Sequence, residues 1–194
     1  MNRGIVGVLL AAGASSRFGD AKLLQRLPEG ELVAVASVRG LREALPDSLV
    51  VTRIDALELA RALHDLGLTI ILSAVAAKGM GHSLACGVRS SANAQGWVVA
   101  LADMPLLRSE TVAAVAAHLR QGASIVAPTY RGQRGHPVGF DRRFFHSLTA
   151  LEGDVGARHL LQRHARDLTL VEIDDPGILR DIDVPADLSG TARG

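Results

Sequence analysis

Short apolar runs alternate with amphipathic stretches along most of this chain, and that alternation narrows the folds open to it. IVGVLL from Ile5, SLVVTR from Ser48, LTIILS from Leu68, WVVALAD from Trp97 and SIVAPT from Ser124 read as strands. Most are nearly continuous in aliphatic residues, as strands covered on both faces tend to be. Helical patterns fill the gaps at 31–44, 55–66, 80–91 and 109–121. The order strand, helix, strand predicts an α/β fold, a three-layer sandwich around a mostly parallel, Rossmann-like sheet with right-handed crossovers.

The pattern changes after Thr129. YRGQRGHPVGF reads as a turn feeding an extended piece, a hairpin packed over the sheet. GDVGARHLLQRHA reads as a loop leading into a helix, LTLVEI as a last strand and DIDVPADL as an acidic, proline-containing segment. No repeat, linker or low-complexity tract interrupts the chain, and 194 residues suit one domain spanning 1–194. Aromatic residues make up only 3%, so the core must be mostly aliphatic.

A formal net charge of +1 argues against a whole-domain footprint for nucleic acid. The single cysteine, Cys86, excludes an internal disulfide and a cysteine-based zinc cluster, and fits a reducing compartment. The first apolar stretch is too short to span a membrane and lacks a signal-peptide cleavage region. The expected location is the cytoplasm, with no membrane partner.

In an open α/β sheet, ligands sit beyond the carboxyl ends of the strands. LLAAGASSRFGDAK, from Leu9, occupies such a place after the first strand. Gly13 and Gly19 allow close backbone approach. Leu10 leads into the loop, Ala11, Ala12, Ala14, Ser15 and Ser16 keep the wall low, and the N–H groups of such a loop can point at an anion. Arg17 and Lys22 add positive charge, and a guanidinium grips phosphate through paired donors. The loop is neither a Walker A motif, since Asp20 follows Gly19, nor a dinucleotide fingerprint. A plain βα turn with solvated charges would use the same small residues. The two charges and the position after the first strand favour triphosphate binding.

LAAGASSRFGDAK resembles the signature LAAGxSxRMGxxK of the MobA-like nucleotidyltransferases, with Phe18 in place of the usual methionine. The resemblance extends over nearly the whole chain, and the branch it approaches most is the molybdenum cofactor cytidylyltransferases. It implies the nucleotide-diphospho-sugar transferase type of fold. Ala11-Ala12 resembles the CTP-using branches, where guanylyl-transferring relatives usually carry two glycines.

The other segments carry two readings each. Asp103 ends the buried strand 97–102 and precedes Met104-Pro105. It can cap the next turn, or hold Mg²⁺, which favours one or two carboxylates plus phosphate oxygens. The resemblance, whose DMP motif holds the metal, favours Mg²⁺. Asp181 and Asp183 share one side of an extended segment. Asp183 is either the N-cap of a helix at PADL or, as the resemblance implies, a second metal contact. In KGMGHSLACGV, the residues Gly79, Met80, Gly81 and Ser83 resemble the family's GMxxSL segment against the nucleotide, while His82 is expected to be exposed and Cys86 to face the core. RGHPVGF resembles a segment of the molybdopterin-specific branch and implies that His136 and Pro137 lie near the acceptor; a simple hairpin turn would use the same residues. GDVGAR resembles the family's GDxGAR, with Asp154 a helix cap or acceptor contact and Arg158 placed to meet an acceptor phosphate. Val155 and the LPEGELV turn depart from the family pattern, the latter lacking its lysine and proline.

The resemblance implies transfer of CMP from CTP to the phosphate of molybdopterin, with Mg²⁺ as cofactor and a molybdenum hydroxylase-type oxidoreductase as recipient of the product. Arg17, Lys22 and Asp103 are the expected catalytic residues. No general base is needed, because the attacking phosphate is already an anion. Two other readings remain: a guanylyl- or other nucleotidyltransferase acting on a sugar or alditol phosphate, and a non-catalytic module that delivers the cofactor.

Overall fold

The structure is a computed structural model, and it describes residues 3–13 and 22–189. Strands β1 (Arg3–Leu10), β2 (Leu49–Arg53), β3 (Thr69–Ser73) and β4 (Ala94–Leu101) form one parallel block. Helices α1 (Val33–Ala44), α2 (Leu57–His64), α3 (Met80–Ser90) and α4 (Ser109–Arg120) connect the strands in alternation. Strands β5 (Ile125–Tyr130) and β8 (Leu168–Glu172) pair in parallel beyond them.

The two halves of the sheet are joined by an antiparallel insertion. After β5 the chain turns through Arg131 and Gly132, both at positive φ, and returns as β6 (Gln133–Arg134). It breaks at Gly135–Pro137 and continues as β7 (Val138–Asp141), which lies between β4 and β5. The strand order is β3-β2-β1-β4-β7-β5, with β6 and β8 both paired to β5. This corrects the expectation of a hairpin packed over the sheet. Val138, Gly139 and Phe140 are buried, and their backbone groups complete ladders with both neighbours. Gly139 suits that slot because an added Cβ would lie 2.8 Å from Val115 on α4.

Alternate residues of the strands feed two separate cores. On one face Ile5, Leu9 and Val50 meet Val38 and Leu41 of α1, Leu59 and Leu63 of α2, and Val112 and Val115 of α4. On the other, Val6, Val8, Leu10 and Val51 meet Leu84 and Val88 of α3. The same face receives Leu148 from α5 (Phe145–Thr149) and Leu160 and Leu161 from α6 (Arg158–Arg163). The result is the α/β/α sandwich that continuous aliphatic strands require. Cys86 is half-buried against the second core.

Several element ends differ from their sequence expectations for local reasons. Helix α1 begins at Val33, two residues later than the apolar pattern, because Leu27 N–H bonds to Glu31 C=O and Arg26 bridges Leu32. Helix α2 stops at His64, and Gly67 follows at φ 75°. Strand β4 begins at Ala94, earlier than Trp97, since Ala94 and Gly96 already pair with β1. Asp154 does not cap the following helix, which starts at Arg158 behind Ala157.

Trp97 is fully buried, and its indole N–H donates to the Ser91 hydroxyl at 2.9 Å. Ser91→Ala leaves that donor sealed without a partner and should cost about 1–3 kcal/mol. Thermal unfolding should show a fall in Tm of several degrees, and adding Trp97→Phe should make the Ser91→Ala step less costly.

Candidate active site

The carboxyl ends of β1 and β4 open into a cavity of about 430 Å³. Leu10, Ala12 and Gly13 form its wall after β1, and Leu101, Ala102 and Asp103 form the wall after β4. Gly79, Met80 and Ser83 close it from the start of α3. Lys22, Asp154 and Asp183 reach it from loops. Ala12 is buried, and among the described residues beyond its chain neighbours no atom lies within 4 Å of the place a Gly13 Cβ would occupy.

At the centre stands a three-membered charge cluster. Lys22 begins a short 3-10 turn (Lys22–Leu24) and is 8% exposed. Its ammonium donates to Asp103 Oδ2 at 2.9 Å and to Asp183 Oδ1 at 3.3 Å. Burial acts to lower the Lys22 pKa, but the hydrogen bonds and charges of the two aspartates outweigh it and hold the pKa above the usual lysine value. The ammonium is therefore charged across the physiological range. Asp181 points to a different fate. Burial, with the charges of Asp183 and Asp103, pushes its carboxyl above the usual range. Of the paired acids in DIDVPADL, Asp183 is the one that joins the cluster.

Asp103 keeps one oxygen out of this arrangement. Its Oδ1 is sealed from solvent and has no hydrogen-bond partner among the described residues. A buried acceptor without a donor costs about 1–3 kcal/mol, so the atom is placed for a ligand. A divalent cation fits it. Carboxylate oxygens suit Mg²⁺ and Mn²⁺, and Mg²⁺ needs only one or two of them when phosphate supplies the rest. The described residues hold no cluster of three or more His, Cys, Asp or Glu able to form an all-protein metal cage.

The register of β7 explains the position of His136. Val138 pairs with Val99, so the chain before it runs toward the carboxyl end of β4, where Asp103 lies. The His136–Pro137 peptide is cis, and the His136 N–H donates to Ile178 C=O at 3.0 Å. The ring is half-buried, with Nδ1 sealed and unpartnered among the described residues. Burial lowers the imidazole pKa; the Asp103 charge opposes this and the Arg134 charge adds to it. The ring is neutral at physiological pH.

Other candidates fall on either side of the cavity. Gly79 and Gly81 are small because the 152–154 loop packs on them: added Cβ atoms would lie 2.4 Å from Gly153 and 2.5 Å from the Glu152 carbonyl. Gly79 still lines the cavity, whereas Gly81 does not. The Ser83 hydroxyl donates to Gly79 C=O at 3.2 Å and is buried. Ala11 turns to the opposite core, its N–H bonded to Val51 C=O. His136 and Pro137 stand beyond the described lining, and Arg158 is exposed at the start of α6. Ala14, Ser15, Ser16, Arg17 and Gly19 lie outside the described residues. Asp187 of α7 (Pro185–Ser189) accepts from the Asp183 and Val184 N–H groups at 2.7 and 2.8 Å.

Sequence reasoning passed over Asp175, the most buried acid among the described residues at 1% exposure. Its oxygens accept from Arg108 N–H, the Thr111 hydroxyl and Gly177 N–H. The dipeptides Asp-Pro and Pro-Gly at 175–177 were the available signal, since an aspartate before such a turn bonds its own backbone two residues on.

Cavity placement at the strand ends, small-residue walls and an acid–lysine cluster define a nucleotide-handling α/β transferase. The chain belongs to the MobA-like NTP transferase family, whose domain matches residues 7–168. It is 34% identical over 200 residues to the purine catabolism protein PucB of Bacillus subtilis (strain 168), covering 97% of this chain and 96% of that protein. The crystal structure of Rv0371c from Mycobacterium tuberculosis H37Rv superposes with a TM-score of 0.82 at 26% identity, covering 96% of each chain. A manganese complex of Rv0371C superposes with a TM-score of 0.76 at 25% identity, covering 94% of this chain and 95% of that one. Among the described residues no helix is long and apolar enough to cross a membrane.

The depressed pKa of His136 makes a signed prediction. Above the ordinary imidazole pKa of 6.5, folded and unfolded chains are both neutral at this site. As pH falls below that value the unfolded chain gains a proton that the folded chain refuses, so stability declines until the folded pKa is reached. Denaturant titrations across this range should show a shallower decline for His136→Asn than for the wild type.

Proposed function

We propose that this chain transfers CMP from CTP to the terminal phosphate of molybdopterin, with release of pyrophosphate. The observation that carries the reading is the Lys22–Asp103–Asp183 cluster, with the buried Oδ1 of Asp103, unpartnered among the described residues, at its heart. A phosphate oxygen of the acceptor attacks the α-phosphorus of CTP. A new P–O bond forms, the bond to the β-phosphate oxygen breaks, and the electron pair leaves with pyrophosphate. No proton has to be removed from the nucleophile. The protein's task is then positioning and charge neutralisation.

The described lining carries three aspartates, Asp103, Asp154 and Asp183, against one lysine, Lys22. An acidic wall of this kind repels a bare triphosphate. Asp103 and Asp183 would hold Mg²⁺, which supplies charge neutralisation on the phosphates when bound. Lys22 draws charge from the phosphates as the triphosphate enters, and Arg17 adds a second donor group. The backbone from Ala12 to Ser16 cradles the triphosphate. Gly79, Met80 and Ser83 border the nucleoside, while His136, Pro137, Asp154 and Arg158 serve the acceptor. A neutral His136 near the transferring phosphate can donate or accept one hydrogen bond without adding charge.

The manganese bound in the Rv0371C structure supports a divalent cation in this chain too. The name of PucB supports a product used in purine breakdown. Oxidation of purine rings is chemistry that molybdenum hydroxylases perform, and such a cytoplasmic oxidoreductase is the proposed recipient.

Pyrophosphate release measured with Mg²⁺ and molybdenum-loaded molybdopterin, comparing CTP, GTP and ATP, tests the reading. Release with CTP is expected. Release with GTP alone would keep the chemistry and overturn the base assignment. Lys22→Met and Asp103→Asn should each slow the reaction roughly 10²–10³-fold, the scale of losing one preorganised charge-stabilising group.

A further inference from the structure

The carboxylate of Asp175 sits at the amino end of α4, outside the cavity that holds Lys22 and Asp103. The N-cap of α4 is Arg108, whose side chain provides no capping bond. Asp175 provides it from a distant part of the chain. Its Oδ2 accepts from the Arg108 N–H at 3.1 Å and from the Thr111 hydroxyl at 2.6 Å. Its Oδ1 accepts from Gly177 N–H at 2.9 Å, and the Arg108 guanidinium approaches to 3.8 Å. A carboxylate at 1% exposure with donors on both oxygens is a fixed point of the structure.

From that point the chain is threaded between the two loops that carry the site. An added Cβ on Gly177 would lie 2.2 Å from the Leu106 carbonyl, and one on Gly135 would lie 2.2 Å from the Ile178 carbonyl. Ile178 C=O accepts the His136 N–H, and Ile182 N–H donates to Asp103 C=O at 2.9 Å. The next residue is Asp183, whose carboxylate meets Lys22. Asp187 orients the Asp183 backbone locally, the Ile182–Asp103 bond docks the segment beside the cluster, and Asp175 anchors its upstream end.

We propose that Asp175 is a positioning residue, which acts through the 175–183 segment to hold Asp183 in register with Asp103 and Lys22. This rests on the nucleotidyl-transfer reading for its consequence in catalysis, though not for its consequence in cation binding. Asp175 touches no reacting group. Its loss loosens the tie to α4, leaving the bond from the Arg108 guanidinium to the Asp174 carbonyl, and displaces the second carboxylate from the cluster.

The test is a double-mutant cycle between Asp175→Asn and Asp183→Ala, read by Mn²⁺ titration and by the kcat and KM of pyrophosphate release, with thermal unfolding to identify folded variants. Asp175→Asn should weaken Mn²⁺ binding and lower kcat roughly 10–10²-fold, the cost of a misplaced group near 1 Å. In the Asp183→Ala background the same change should have less than about a two-fold further effect, because coupled sites are not additive. Thr111→Val should reproduce part of the loss and Thr111→Ser should restore it, which keeps the test open if Asp175→Asn fails to fold. Additive effects, a lowered Tm with Mn²⁺ affinity unchanged, or no Mn²⁺ binding by the wild type would overturn the proposal. If the wild type binds Mn²⁺ but releases no pyrophosphate with any nucleotide, the transfer reading falls, and the Mn²⁺ cycle alone decides the role of Asp175.

Discussion

One ammonium group between two carboxylates ties the carboxyl edge of this sheet together. Lys22 follows β1, Asp103 follows β4, and Asp183 belongs to the C-terminal segment, so the contacts at 2.9 and 3.3 Å span 81 and 161 positions of sequence. A cluster with two negative charges and one positive is not neutral. Removing Lys22 would leave two acids facing each other, and removing either acid would leave a mostly buried cation with a single partner among the described residues. Breaking one side of a buried pair costs far more than the pair contributes intact. The excess negative charge is also what makes the cluster receptive to a cation and, through it, to phosphate.

The rest of the fold can be understood as the means of bringing those segments to one place. Parallel pairing of β1 with β4 sets their ends side by side. The antiparallel β7 then fills the gap between β4 and β5 and delivers His136 to the same edge. The final segment crosses beneath Met104–Leu107 and against His136, held by Asp175 at one end and by the Ile182–Asp103 backbone bond at the other. Close approaches at Gly135 and Gly177 leave no room for a Cβ, so these glycines record where backbone meets backbone.

The parallel half of the sheet was legible in the sequence because its strands are continuous in Val, Ile and Leu and are separated by helices of matching period. LVVTR and TIILS need no tertiary information to be read as strands. The insertion of β7 was not legible in the same way. Val138–Asp141 is four residues long and follows glycine and proline, which signal a turn but carry no information about which strand the next residues will join. Local chemistry raised Lys22 and Asp103 as candidates, and the family resemblance favoured Asp103 as a metal ligand and added Asp183 as a second. Their convergence depends on crossovers that no window of sequence contains.

Asp175 marks the sharper limit. Its neighbours Asp174 and Pro176 suggest a solvated acidic turn, yet Asp175 is nearly sealed while Asp174 is exposed. The difference arises because the amino end of α4 lacks a capping side chain of its own and Thr111 turns its hydroxyl toward the same point. A helix without a local cap demands an acceptor from elsewhere. The missing cap at Arg108 is therefore a clue in the sequence, but it becomes readable only when the fold shows which carboxylate answers it. The acid that answers is eight residues before Asp183, and so the same bond that completes a helix also fixes where the second acid of the cluster can stand.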